Sequence, residues 1–173
     1  MEGARRSEWL PTLGARGLLL ANTVSEIIYA GDAPFTAMPG AGSYLRAHSA
    51  ANATIAVVGS EPEIYFYAHR HSATGYLYMY PLMEPQPYAA RMQREMISEI
   101  ESNQPDFLVF VPSADSWNIR PSSDPAILKW FGQYSSAHYE RTDVLWQDAG
   151  GGPGGKVPVV SIYKRKPPQS LPQ

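Results

Sequence analysis

The stretch TIAVVGSEPE, residues 54–63, decides the fold of this chain. Thr54–Val58 are apolar or β-branched without interruption, which indicates a strand buried on both faces. Gly59 ends the run. Ser60 and Glu63 then have the spacing of a capping box, in which each side chain bonds the backbone amide of the other at a helix start. The sequence therefore predicts a buried strand followed directly by a helix.

The alternation of strand and helix continues along the chain. A second strand is predicted over Tyr76–Tyr80, which is aromatic and closed by a proline. Over Tyr88–Asn103 apolar residues recur every three or four positions, and Arg91 and Glu95 are spaced to pair on the outer face of a helix. A further fully apolar strand is predicted over Phe107–Val111. This order of elements favours a parallel sheet.

The C-terminal part adds one helix and two strands. The helix is predicted to begin with Asp124 as its cap and to end near Ser136. Strands are predicted over Thr142–Gln147 and Val157–Lys166, close enough in sequence to pair antiparallel around the glycines at 150–155. The predicted fold class is therefore α/β, with three layers and a mainly parallel sheet that ends in a C-terminal antiparallel strand pair.

The length of 173 residues and the 44% hydrophobic composition predict a single domain with one core. Residues 1–35 show no sustained period and are predicted to be a lead-in segment, in which Leu18–Tyr29 has the length of a short helix. Ser43–Ala51 predicts another helix. The α/β domain is expected over residues 36–166, and residues 167–173 are expected to form a mobile tail.

Composition excludes several classes of function. The net charge of −2 disfavours a nucleic-acid-binding surface. The absence of cysteine removes disulfides, thiol catalysis and cysteine zinc sites. The longest uninterrupted apolar run, Gly17–Ala21, is far shorter than the ~20 residues needed to cross a bilayer, so the chain itself is predicted to be soluble.

The turn after the first strand is the best candidate for a ligand site. Open α/β sheets bind ligands where the carboxyl ends of strands meet helix N-termini, and Ser60, Glu61 and Glu63 lie at such a place. Two carboxylates would repel a phosphate, so a hydroxylated or cationic ligand fits better. The alternative is that Ser60 and Glu63 only cap the helix.

Arg70, Tyr76 and Tyr80 complete the candidate ligand or partner surface. Arg70 could bind an anion or carboxylate, or form a salt bridge within the domain. Alternation along the predicted strand puts Tyr76, Tyr78 and Tyr80 on one face, where they either line a cleft or pack beneath a helix.

No complete catalytic or metal-binding motif is present. The residues around Ser60 read VGSEP and lack the GxSxG pattern of a nucleophile elbow. On a helix His69 and His71 would point about 200° apart, too far to share a metal. The sequence thus predicts no catalytic residue, no metal and no cofactor.

The segment IAVVGSEPEIYF, residues 55–66, is followed by Arg70, Ser72, Tyr76 and the pair Tyr80-Pro81. Together they resemble a segment late in polytopic membrane glycosyltransferases of the protein-mannosyltransferase-like family. The resemblance continues through the helix at 92–101 and the phrase PDFLVFV at 105–111, and it covers about residues 44–111.

The resemblance implies that this chain is the soluble, extracytoplasmic C-terminal domain of an enzyme that transfers a sugar from a polyprenyl-phosphate donor. The catalytic acidic residues of that family lie in an early extracytoplasmic loop without a counterpart here, so the domain is not expected to catalyse transfer alone. It is expected to shape acceptor access. The implied partners are the membrane-embedded part of the same polypeptide and the acceptor or lipid-linked sugar.

Two alternatives from other classes stay open. The first is a stand-alone interaction or structural module, which would need no ligand-sized concavity. The second is a small enzyme in which Glu61, Glu63 and a histidine converge to act as acid and base.

Overall fold

The apolar strand at residues 54–58 lies inside a five-stranded sheet in the computed structural model, which describes residues 34–148 and 155–167. Residues 1–33 of the lead-in predicted over 1–35, with its helix at Leu18–Tyr29, fall outside the described residues. So do the glycines at 150–154 and residues 168–173 of the tail predicted over 167–173. The chain joins the described fold in a 3₁₀ turn, Pro34–Ala37.

Five helices and five strands follow within the described residues. The helices are α1 (Met38–His48), α2 (Glu63–Ala68), α3 (Tyr80–Met83), α4 (Ala89–Asn103) and α5 (Ala126–His138). The strands are β1 (Thr54–Val58), β2 (His71–Ser72), β3 (Phe107–Phe110), β4 (Tyr139–Asp148) and β5 (Lys156–Arg165). A second 3₁₀ turn, Ala114–Ser116, lies in the loop after β3.

The strand order across the sheet is β2-β1-β3-β5-β4. β1 pairs in parallel with β2 and β3, and β5 pairs antiparallel with β3 and β4. The predictions of an α/β fold and a C-terminal antiparallel strand pair are confirmed, and the sheet as a whole is mixed. The predicted α4 helix, with its Arg91–Glu95 ion pair at 2.7 Å, is also confirmed.

Two hydrophobic clusters use alternate residues of β1. Ile55 and Val57 pack with side chains of α1 and α2, whereas Ala56 and Val58 pack with side chains of α4 and α5. Each fully buried Leu, Ile, Val or Phe side chain stabilises the fold by about 1.5–3 kcal/mol relative to an exposed one. The main helical contributors are Met38, Leu45 and Ile64 in the first cluster, and Met96, Ile100, Ile127 and Phe131 in the second.

The predicted capping box is wrong. No side chain caps α2, whose first turn is closed by backbone bonds from Ile64 and Tyr65 to the carbonyls of Glu61 and Pro62. The Ser60 hydroxyl instead accepts a hydrogen bond from the amide of Met79, at 2.9 Å. The amide of Met79 has no partner in a strand, and the Ser60 hydroxyl supplies one. This bond fixes the segment before α3 to the loop after β1.

The predicted strand at Tyr76–Tyr80 is also wrong. The second parallel strand is the two-residue β2, and Tyr80 begins α3. Beyond β2 the Ser72 hydroxyl accepts from the amide of Thr74 at 3.2 Å, a local bond that competes with the sheet ladder. The amide of Val57 donates to the hydroxyl of Tyr65 at 2.9 Å, so a side chain replaces the missing strand.

The buried side chain of Gln93 on α4 joins two neighbouring elements. Gln93 is 1% exposed, and its Nε2 donates to the carbonyls of Leu82 at 2.8 Å and Asp124 at 2.9 Å. Its Oε1 accepts from the amide of Ile127 at 2.9 Å. One amide group thus satisfies three backbone groups at the end of α3 and the start of α5.

We predict that Gln93→Met lowers the free energy of unfolding by about 2 kcal/mol or more, because two buried backbone groups and one partly buried carbonyl lose their partner. Urea unfolding followed by circular dichroism measures this loss. The matched control is Gln133→Met on the exposed side of α5, expected to change stability by less than about 0.5 kcal/mol. Equal effects of the two substitutions would contradict a structural role for Gln93.

Candidate functional site at the carboxyl ends of β1 and β3

The helix that connects β1 to β2 and the helix that leads into β3 cover opposite faces of the sheet. α2, which follows β1, packs in the cluster of Ile55 and Val57, whereas α4, which leads into β3, packs in the cluster of Ala56 and Val58. β1 and β3 therefore form a topological switch point. In open α/β sheets, ligands bind outside the carboxyl ends of the strands at such a point.

Glu61 lies at this switch point and connects the loops that follow the two strands. It is 2% exposed, and its Oε2 accepts a hydrogen bond from the Ser116 hydroxyl at 2.8 Å. The Ser116 hydroxyl in turn accepts from the amide of Ser60 at 2.9 Å. A chain of two hydrogen bonds thus fixes the β1 loop to the β3 loop.

Gly59 provides the space for the Glu61 carboxyl group. A Cβ at position 59 would lie 2.5 Å from Oε2 of Glu61 and 2.9 Å from both the Ser116 hydroxyl and the Val111 side chain. Real Cβ contacts are essentially never shorter than 3.0 Å. The glycine that ends the apolar run in the sequence therefore has a packing role at the site.

Burial sets the protonation of the two glutamates. It raises the pKa of Glu61 to about 7, against the opposing effect of the Ser116 hydrogen bond and with a further increase from the neighbouring Glu63 carboxylate. Burial also raises the pKa of Glu63, whose Oε1 is buried without a hydrogen-bond partner. Near neutral pH, Glu61 can therefore both hold and release a proton.

Two tyrosines lie beside the acidic groups. The Tyr80 hydroxyl donates to the carbonyl of Asp115 in the β3 loop. Burial raises the pKa of Tyr80, and the neighbouring Tyr78, Asp115 and Glu61 raise it further. The rings of Tyr78 and Tyr80 have centroids 4.5 Å apart, and Tyr78 is 49% exposed. The structure thus brings Ser60, Glu61 and Tyr80 to one end of the sheet together with Glu63.

The other two predicted site residues lie elsewhere. The Tyr76 hydroxyl donates to Oε2 of Glu95 on α4, at 2.6 Å. Arg70 directly precedes β2, whose His71 is level with the first residue of β1, and so lies at the opposite end of the sheet. The Arg70 guanidinium donates to the carbonyls of Ser49 at 2.8 Å, His69 at 3.0 Å and Arg46 at 3.1 Å, where it closes helix ends.

The histidines share the end of the sheet occupied by Arg70. His48 ends α1 and His69 directly follows α2. His71 starts β2 and His138 ends α5. The small-enzyme alternative needs a histidine beside Glu61 and Glu63. All four histidines lie at the opposite end of the sheet, so the structure does not support it. Among residues 34–148 and 155–167 no group of three or more metal-ligating side chains gathers either.

Sequence reasoning missed Ser116, the partner of Glu61. The signal available was a Ser- and Asp-rich loop directly after an apolar strand. Trp117 holds this loop in place, because its buried indole Nε1 donates to the carbonyl of Val111 at 2.7 Å. Knowledge that β1 and β3 are neighbours was needed to pair the two loops.

Two concavities lie away from Glu61. One of about 280 Å³ lies at the amino ends of β1 and β3 and is lined by polar residues that include His48, Asp106 and Lys164. The other, of about 580 Å³, is an open groove between α5 and the sheet, lined in part by Phe110, Phe131 and Tyr163. Neither is lined by Ser60, Glu61, Glu63 or Ser116.

Compared with known proteins, the chain matches no family profile, none of the curated proteins and no solved structure. In the part of the chain that the structure describes, no helix is long and apolar enough to span a membrane.

We predict that the free energy of unfolding falls as pH rises from about 4.5 to about 7. Across this range the folded state keeps the Glu61 proton that the unfolded state has already lost, so raising the pH favours unfolding. Glu61→Gln removes this contribution, which amounts to up to about 3 kcal/mol. Glu63 contributes with the same sign, so part of the slope remains.

Urea unfolding between about pH 5 and about pH 8 measures the slope. Glu140→Gln on the exposed side of β4 is the control and is expected to leave the slope unchanged. A wild-type slope that Glu61→Gln does not reduce would show that Glu61 is ionised in the folded protein.

Proposed function

We propose that this chain is the accessory domain of a membrane glycosyltransferase that uses a polyprenyl-phosphate sugar donor. In this proposal the domain lies on the extracytoplasmic face of the membrane, beside the membrane-embedded part of the same polypeptide. It binds hydroxyl groups of the acceptor at the carboxyl ends of β1 and β3, and it does not catalyse transfer alone. The resemblance of residues 44–111 to such enzymes motivates the enzyme class.

The hydrogen bond between Glu61 and Ser116 at the switch point is the main observation in favour of a hydroxylated ligand. A carboxyl group with a pKa near 7 can donate or accept a hydrogen bond, as sugar hydroxyls require of their partners. Glu61 itself is buried, so it acts as the floor that holds the two loops in position. Glu63, at the start of α2, is less buried than Glu61 and is therefore the nearer residue for a ligand hydroxyl.

The charge of the site favours a sugar over a phosphate. Glu61 and Glu63 interact electrostatically, and Asp115 precedes Ser116 in the β3 loop. Carboxylates at this end of the sheet would repel the phosphate of a lipid-linked donor. A neutral acceptor hydroxyl meets no such repulsion. We therefore assign the acceptor, rather than the phosphate of the donor, to this end of the sheet.

The tyrosines supply the apolar part of sugar recognition. Tyr78 presents a half-exposed ring next to Tyr80, and aromatic side chains offer a flat apolar face with a polar tip. The C–H face of a pyranose ring could pack there while its hydroxyls reach Glu63. The three-layer arrangement belongs to the same proposal, and the two separate hydrophobic clusters on alternate residues of β1 support it.

We predict that methyl glycosides bind weakly to the chain and perturb the backbone amide signals of Ser60, Glu61 and Glu63 and of residues 78–80 and 115–116. A heteronuclear NMR titration with a panel of methyl hexosides measures this. Tyr78→Ala should weaken binding about tenfold through the loss of ring contact. The matched control is Phe66→Ala, which removes another exposed ring, 74% exposed, from α2.

Perturbations confined to the open groove between α5 and the sheet would contradict the site. No perturbation by any glycoside at millimolar concentration would contradict the ligand class. An equal loss of binding in Phe66→Ala and Tyr78→Ala would show that ring contact at Tyr78 is not what holds the sugar.

A further inference from the structure

The large apolar side chains exposed to solvent gather at one end of the fold. Eight are exposed among the described residues, and two of them, Phe66 and Tyr67, lie on α2. The other six come from segments that lie at or beyond the carboxyl ends of β1 and β3. These are Leu77, Tyr78, Tyr88, Ile119, Trp146 and Val157, each between 45% and 63% exposed.

Hydrogen bonds join the segments that carry four of these side chains. The Tyr80 hydroxyl bonds the Asp115 carbonyl, which links the segment of Leu77 and Tyr78 to the loop of Ile119. The amide of Tyr88 donates to the side chain of Gln86, whose Nε2 donates to the Pro81 carbonyl. The segment before α4 is thus held against α3 at the same end.

The β4–β5 hairpin brings the other two side chains to this end. The last pair between β3 and β5 is Phe110 with Ser161, so Lys156–Val160 continue beyond the end of β3. At about 3.3 Å per residue this extension is about 15 Å long. Trp146, opposite Pro158, and Val157 lie on the extension and remain exposed.

The chain also joins the described fold at this end. The turn Pro34–Ala37 contacts both strands of the hairpin, and α1 then runs to the opposite end, where His48 is followed by the start of β1. The 33 residues that precede Pro34 therefore connect to the fold on the side that carries the exposed apolar side chains.

Basic side chains are not concentrated at this end. Its loops and first helical turns mix both signs, with acids at Glu61, Glu63, Glu84, Asp115 and Asp124 and bases at Arg91, Arg120, Lys129 and Lys156. At the opposite end bases outnumber acids, with Arg46, Arg70, Arg141, Lys164, Arg165 and Lys166 against Glu101, Asp106 and Glu140. An anionic surface would therefore attract the wrong end of the molecule.

We propose that the carboxyl end of the sheet rests on the surface of a zwitterionic lipid bilayer, with Leu77, Ile119 and Trp146 inserted at the headgroup level. Tyrosine and tryptophan favour the membrane–water interface because each has an apolar ring and a polar group. Aliphatic side chains between them add apolar area. This surface contact does not require the sugar site, and it orients that site towards the membrane.

The test is flotation of the full chain with phosphatidylcholine vesicles in the absence of any sugar. The wild-type chain is expected to float with the vesicles. The triple variant Leu77→Ser, Ile119→Ser, Trp146→Ser should partition at least about tenfold less, because three apolar side chains are lost from the contact. Phe66→Ser removes an apolar side chain that is more exposed than these three but lies on α2, and this variant should partition like the wild type.

Circular dichroism confirms that the variants are folded, and all four substituted side chains are solvent-exposed. A wild-type chain that stays unbound would overturn the proposal and leave a protein as the partner of this surface. Undiminished flotation of the triple variant would also overturn it, since another segment would then bind lipid. So would binding that appears only when phosphatidylserine is added, because the basic end would then be responsible.

Because Tyr78, Tyr80 and Glu63 are unchanged in the triple variant, its glycoside binding should equal that of the wild-type chain. Vesicle binding and sugar binding can therefore fail independently, and each failure identifies the proposal that is wrong.

Discussion

Two fully apolar strands lie side by side in the centre of this fold, paired from Ile55 with Phe107 to Val58 with Phe110. Because each strand is apolar on both faces, neither face can be left in water. Helices must cover both, so one connection leaves β1 towards the first face and the next reaches β3 across the second. The switch point between the strands is a direct consequence of this constraint, and it determines where the polar groups of Glu61 and Ser116 can meet.

The elements that local pattern decides were predicted from the sequence. An uninterrupted apolar run identifies β1 and β3 as buried strands, and apolar residues every three or four positions identify α4 as a helix. The spacing of Arg91 and Glu95 then predicts their ion pair on α4. The errors fall between residues 60 and 80. There the Ser60 hydroxyl bonds an amide 19 residues away and the Tyr65 hydroxyl bonds a β1 amide 8 residues away. Tertiary partners of this kind override the capping and alternation patterns that the sequence displays.

The candidate site shows the same division. The sequence assigned Ser60, Glu61 and Glu63 to the candidate site because ligands of open α/β sheets bind at the carboxyl ends of strands, and the structure places these residues there. Ser116 was missed because its relation to Glu61 depends on which strands are neighbours. Arg70 was grouped with the site by its nearness in sequence, yet the parallel pairing of His71 with Thr54 fixes it at the other end. Arg70 and the candidate site lie at opposite ends of the strands, and distance along the sequence does not reveal this separation.

Glu61 lowers the stability of the folded protein more than an apolar side chain would at a position whose only role is packing. A buried carboxyl with a pKa near 7 destabilises the folded state at neutral pH, whereas an apolar side chain of similar volume would not. The surroundings nevertheless accommodate it, with a glycine beneath the carboxyl and a serine hydroxyl donating to it. Local rules are usually broken where a protein binds or reacts. The stability lost at Glu61 and the hydrogen-bonding capacity gained there therefore have one cause, the burial of an acid at the switch point of the sheet.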